Sequence, residues 1–165
     1  MSDKTYKPAL KYSLNEIAAM DLWALIVKTG STAEADDEAT TLADINNLLE
    51  YTGDGYERIQ LQGVAVSDDA GSDRWAKLVS DPLEFPVMEP LIDENAIGII
   101  IYAEEGSPVD VYDEYPIEGE DTRIPIYFKD SGGFPVNPAN AVFRWTPSSE
   151  GIIYRVSRLA SEIVI

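Results

Sequence analysis

The stretch Ala96 to Ala103, AIGIIIYA, is the most apolar run in the chain, and the rest must fold so as to cover it. It is far shorter than the ~20 residues that a membrane span needs. Its isoleucines and tyrosine are strand formers, and no position in it asks for water. The run therefore predicts a central strand. Leu22 to Gly30, LWALIVKTG, is a second run of this kind, ended by a glycine, with Trp23 read as a core residue. Ile124 to Lys129 reads as another strand, followed by a turn at Asp130 to Gly133. In NAVFRWTP, Val142, Arg144 and Thr146 alternate against Phe143 and Trp145, and GIIYRVSRL gives the last clear strand.

Between these runs the signals are mostly turns. Ser13 with Glu16, and Thr41 with Asp44, have the spacing of a capping box, so two short helices are expected. Leu42, Ile45, Leu48 and Leu49 extend the second at helical spacing. Gly53-Asp54-Gly55 then reverses the chain. A strand launches at Tyr56 and runs through RIQLQGVAVSDD, with a kink expected at Gly63. Asp68 to Asp73 makes a turn, and DRWAKLVSDPLEF returns as its partner. Pro82, Pro86 and Pro90 mark a loop or a sheet edge. Residues 104–121 carry eight acids and no base, as a solvated edge in which Val109, Val111 and Tyr115 supply a strand. About seven strands at short intervals with little helix is the signature of a mainly β domain. The expected fold is an antiparallel β-sandwich or barrel-like domain with one or two short helices and extended terminal arms.

At 165 residues with 45% hydrophobic content, the chain is long enough to bury a real core as one domain. Its charge is unusual: 30 acidic residues against 12 basic ones give −18. Self-repulsion of that size keeps a protein soluble and argues against nucleic-acid phosphates or anionic membranes as partners. There are no cysteines and no histidines, which removes disulfides, thiolate chemistry, the commonest general base and the usual zinc ligand. No phosphate-binding loop, nucleophile elbow or H-E-x-x-H motif is present. An enzyme is not expected, and no cofactor or metal set is assigned. Asp68, Asp69 and Asp73 are the best local carboxylate cluster for a cation, but aspartate and glycine are what tight turns use anyway. Ser31 to Ala39, STAEADDEA, reads as a solvated acidic loop.

The domain is placed at 22–157, with an N-terminal arm carrying a short helix at 1–21 and a C-terminal tail at 158–165. Lys4, Lys7 and Lys11 against Asp3 make the arm basic in an acidic protein. It reads either as a frayed terminus or as a segment that lies on an acidic neighbour, such as another copy of itself. Ile163, Val164 and Ile165 end the chain on apolar, β-branched residues that need a docking place. The candidate assembly contacts are therefore Lys4, Tyr6, Lys7, Pro8, Lys11, Ile163, Val164 and Ile165. Removing 1–13 or 158–165 is expected to leave the fold intact.

LWALIV, TLADI, the G-x-G-Y step of GDGY, LQGVAVSDDAGSDRW, AIGIIIY, IPIYF and FRWTPSSEGIIYRVS follow one another in a fixed order across Leu22 to Ser157. In that order the chain resembles a family of small tailed-bacteriophage virion structural proteins, of the capsid decoration (cement) or head-fibre kind. The segment before Leu22, the tail after Ser157 and the proline-spaced connection depart from the family pattern. The resemblance implies assembly on a virion, on the outer head surface, after a soluble stage in the host cytoplasm. The major capsid protein or other virion proteins would be partners, and a homo-oligomer is implied, with trimers suiting local three-fold positions. A neck, tail or fibre component is the alternative within that class. From another class, the acidity raises an inhibitor that mimics nucleic acid.

Overall fold

In the computed structural model the described residues are 4–68, 76–86, 95–104, 122–129, 134, 143–146 and 152–155. The two most apolar runs lie side by side: β2, Leu22–Lys28, pairs antiparallel with β7, Ala96–Glu104, from Leu22 opposite Ala103 to Val27 opposite Gly98. Nearly every side chain of both strands is buried, as their unbroken apolar character requires. On its other side β7 pairs with β8, Arg123–Lys129. Pro125 has no N–H to give a ladder, and it sits where the β7–β8 register shifts, between Ile101 and Tyr102. With β1, Lys4–Thr5, and β3, Ile59–Gln60, at the edges, the order of this sheet is β1-β8-β7-β2-β3.

Two smaller antiparallel sheets complete a β-sandwich-like domain. One has the order β10-β5-β4, from β4 (Ala65–Asp68), β5 (Ala76–Val79) and β10 (Ile153–Arg155). The other pairs β6, Leu83–Phe85, with β9, Phe143–Trp145. Among the described residues no sheet closes on itself as a barrel. The helix α1, Leu14–Ala18, starts at Ser13, whose Oγ accepts the Glu16 N–H at 3.1 Å. It buries Leu14 and Ile17 and packs against β4 and β5.

Three expectations change in detail. The strand predicted from Tyr56 to Asp69 is two strands in two sheets. Gly63 takes φ +63°, and a Cβ there would lie 2.6 Å from Asp81 Oδ1, so the expected kink is a full change of sheet. The return stretch likewise divides into β5 and β6, and the described residues alone hold ten strands where about seven were expected. The helix predicted after Thr41 is one 3-10 turn, Leu42–Asp44. Its Asp44 carboxylate accepts the Thr41 N–H at 3.0 Å, but the chain turns extended at Ile45 to bring Leu49 and Glu50 alongside β2.

The segment read as an N-terminal arm is built into the domain from Lys4 onward. β1 pairs with β8, Lys4 opposite Phe128 and Thr5 opposite Tyr127, and a 3-10 turn at Lys7–Lys11 follows, with Ala9 buried. The strand expected near Val109 to Tyr115, the turn at Asp69 to Asp73 and the C-terminal tail lie outside the described residues.

Candidate functional site

Two polar constellations stand out on this framework. The first joins the N-terminal segment to the acidic loop at 31–39. Tyr6 is 0% exposed, and its hydroxyl donates to the Ala33 carbonyl at 2.8 Å. Burial is the main reason its pKa is raised, and the nearby carboxylates of Asp36 and Asp37 push it the same way. The backbone closes around it: the Tyr6 N–H donates to the Ile126 carbonyl at 3.0 Å and the Lys7 N–H to the Asp37 carbonyl at 2.8 Å. Above this socket, Lys4 Nζ lies 3.8 Å from Asp37, while Lys7 Nζ lies 3.6 Å from Asp37 and 2.9 Å from Glu38. The Lys7 and Glu38 side chains are 56% and 78% exposed, so these pairs steer the segment more than they hold it.

The loop is ordered by its own side chains and is more than a solvated run of acids. Asp36 accepts from the Thr32 hydroxyl, from the Asn46 N–H at 2.9 Å and from the Asn46 side-chain amide at 3.3 Å. Asn47 closes the same turn, donating its side-chain amide to the Gly30 carbonyl at 2.9 Å. An open cleft of about 510 Å³ lies against Asp36, Asp37, Glu38 and Asp44.

The second constellation lies where β2 lacks a neighbour. Residues 49–51 reach β2 at Ile26 to Lys28, and residues 59–61 reach it at Leu22 to Ala24. The loop between them bows outward, and the Tyr56 hydroxyl fills the gap, accepting the Ile26 N–H at 3.0 Å and donating to Glu50 Oε1 at 2.6 Å. Its ring stacks on Phe85 of β6 at 6.3 Å and meets Tyr51 edge-on at 5.9 Å, tying the large sheet to the smallest one. Glu50 also receives both ends of the Arg58 fork, Nε at 2.8 Å and Nη2 at 2.7 Å. Arg58 continues to the Tyr102 hydroxyl at 3.4 Å, and beyond that ring Arg123 pairs with Glu104 at 3.0 Å. Beside the Glu50–Arg58 pair is an open pocket of about 450 Å³ walled by Leu42, Ala43, Ile45 and Leu48.

No family model, curated protein or solved structure matches the chain.

Of the residues proposed from sequence as assembly contacts, the structure brings Lys4, Tyr6 and Lys7 together on the chain's own acidic loop. Tyr6 is a core residue, with its side chain held in the chain's own socket. Pro8 is half-buried in the first 3-10 turn, and Lys11 is exposed, its ammonium 5.0 Å from the centre of the Tyr12 ring. Ile163, Val164 and Ile165 lie outside the described residues, as do Asp69 and Asp73 of the candidate cation turn. Among the described residues no three acidic side chains come together to hold a metal ion. No described helix is long and apolar enough to cross a membrane. The Glu50–Arg58–Tyr102 chain was missed in the sequence, although opposite charges eight residues apart on either side of a glycine turn are a usable signal for an ion pair across that loop.

Proposed function

We propose that this protein is a structural component of a tailed-bacteriophage virion, a decoration or cement protein that binds the outer head and stabilises it through protein–protein contacts. What supports the reading is the ordered series of motifs in which the sequence resembles that family. Those motifs coincide with the elements that build the domain. LWALIV lies in β2, AIGIIIY in β7 and IPIYF in β8; LQGVAVSDDAGSDRW spans β4, and FRWTPSSEGIIYRVS spans β9 and β10. The −18 charge suits a module displayed in many copies on an outer surface, where self-repulsion keeps free copies apart until a site is offered. The partners are the major capsid protein and further copies of this chain.

Quantitative mass spectrometry of purified particles tests this reading. Hundreds of copies per particle are expected. A few copies would move the protein to the neck, tail or fibre, and its absence would overturn the virion reading. The acidic cleft favours a nucleic-acid mimic as the reading from another class. Against it, Lys4 and Lys7 already meet Asp37 and Glu38 there, whereas mimicry needs carboxylates left spaced like phosphates.

A further inference from the structure

Residues 4–11 form a strap that lies on β8 and on the acidic loop and is followed by two extended residues. Its strand β1 and its 3-10 turn both pack on β8. After Lys11 the backbone runs extended through Tyr12, φ −89° and ψ 137°, and Ser13, φ −71° and ψ 163°, before α1 begins. The surface under this strap is made for it. The edge of β8 offers the rungs opposite Lys4 and Thr5, the Ala33 carbonyl closes the socket of Tyr6, and Asp37 with Glu38 takes the two ammonium groups.

We propose that this groove is an acceptor site for an extended Lys-x-Tyr-Lys strand, and that a second copy of the chain supplies that strand when copies are crowded. A swing at Tyr12–Ser13 would carry the strap to a neighbour with every rung, the tyrosine socket and both kinds of ion pair made again in trans. The two arrangements then differ mainly in how often the strap meets each groove. A short connection gives its own groove an effective concentration on the order of millimolar, so copies held at comparable density compete with it. Charge complementarity selects the occupant: a basic strand is unusual in a chain of net charge −18, and the carboxylates that receive it face it directly. The inference concerns the isolated chain and does not depend on the virion reading.

The absence of cysteines makes the test clean. Thr5→Cys is placed in one chain and Tyr127→Cys in a second, differently tagged chain. These two positions face one another across β1 and β8, so between the two chains they join only when a strap sits in a partner's groove. The pair is unfolded, refolded together at ~0.01 mM and at ~1 mM, and oxidised; the mixed dimer is expected to rise at least about tenfold between the two. Lys4→Glu and Lys7→Glu in the strap donor weaken its strap in its own groove and in a partner's alike, so that yield is expected to stay within about twofold. No mixed dimer at either concentration overturns the proposal, and so does a mixed dimer whose yield does not rise with concentration. Where the Tyr127→Cys chain fails to fold, light scattering on the unmodified chain refolded at both concentrations decides: a dimer at the higher one that survives dilution into the lower supports exchange, and monomer at both, or a dimer that falls apart at once on dilution, overturns it.

Discussion

Ile26 has its carbonyl taken by the Tyr51 N–H at 2.9 Å, while its own N–H points to a place where no strand runs. Tyr56 answers that orphan donor with a side-chain oxygen and passes its own proton to Glu50. Tyr56→Phe should therefore leave Ile26 unpaired in a buried setting and cost about 1–3 kcal/mol in urea unfolding, where a loss near zero would mean that water replaces the hydroxyl. Tyr6, Tyr56 and Tyr102 share a second property, since burial, first among the causes, raises the pKa of each above 10.0. The fold favours their protonated form, so the stability they add is whole below the unfolded value of 10.0 and falls as pH climbs beyond it. Stability is expected to drop by up to about 1.4 kcal/mol per pH unit for each such tyrosine. Absorbance of tyrosinate should show at least these three of the nine tyrosines ionising only together with unfolding, and ionisation ahead of unfolding would contradict their burial.

At the scale of elements, the N-terminal strap and the β7–β8 contact carry the sharpest expectations. Tyr6 and Ala9 are both fully buried, so deletion of residues 1–13, harmless by the sequence reading, is expected to damage the fold. Tyr6→Ala should cost about 3–5 kcal/mol, the range of a large aromatic lost from a core. Lys7→Ala, by contrast, should cost under ~1 kcal/mol, because its ion pairs are exposed. Equal effects in denaturant titrations would mean that charge holds the strap, and the socket does not. Gly98 lies under Phe128, where a Cβ would come within 2.7 Å of the ring and 2.8 Å of the Lys129 carbonyl. Gly98→Val is expected to push β8 away from β7 at a cost of about 1–3 kcal/mol or more, read by the same titration.

These elements were legible in the sequence to different degrees. β7 and β2 could be read because a strand buried on both faces writes its environment into every residue. Gly63 signalled a kink, but the hand-over to another sheet shows only in the pairing partners, β2 for Ile59–Gln60 and β5 for Ala65–Asp68, and neither is marked locally. Tyr6 was read as a contact because its acceptor, Ala33, is 27 residues away, and nothing local marks a tyrosine as socketed. Asp36 looked like one acid among several for a similar reason, since two of its three hydrogen bonds named above come from Asn46, ten residues on.

For the whole molecule, the charge of −18 acts on both stability and assembly. Self-repulsion among that many carboxylates should outweigh a handful of surface pairs, so raising salt from ~0.01 M to ~0.15 M is expected to raise the thermal midpoint in calorimetry. A midpoint that falls would mean that pairs such as Lys4–Asp37 and Arg123–Glu104 dominate. The same repulsion frames the virion reading, in which free copies stay apart and a particle surface supplies what brings them together. That reading is tested most directly by adding the purified protein to heads that lack it and following both occupancy and the temperature at which the heads open. Saturable binding of many copies with a raised opening temperature is predicted; heads that take up no protein and open at an unchanged temperature would contradict it.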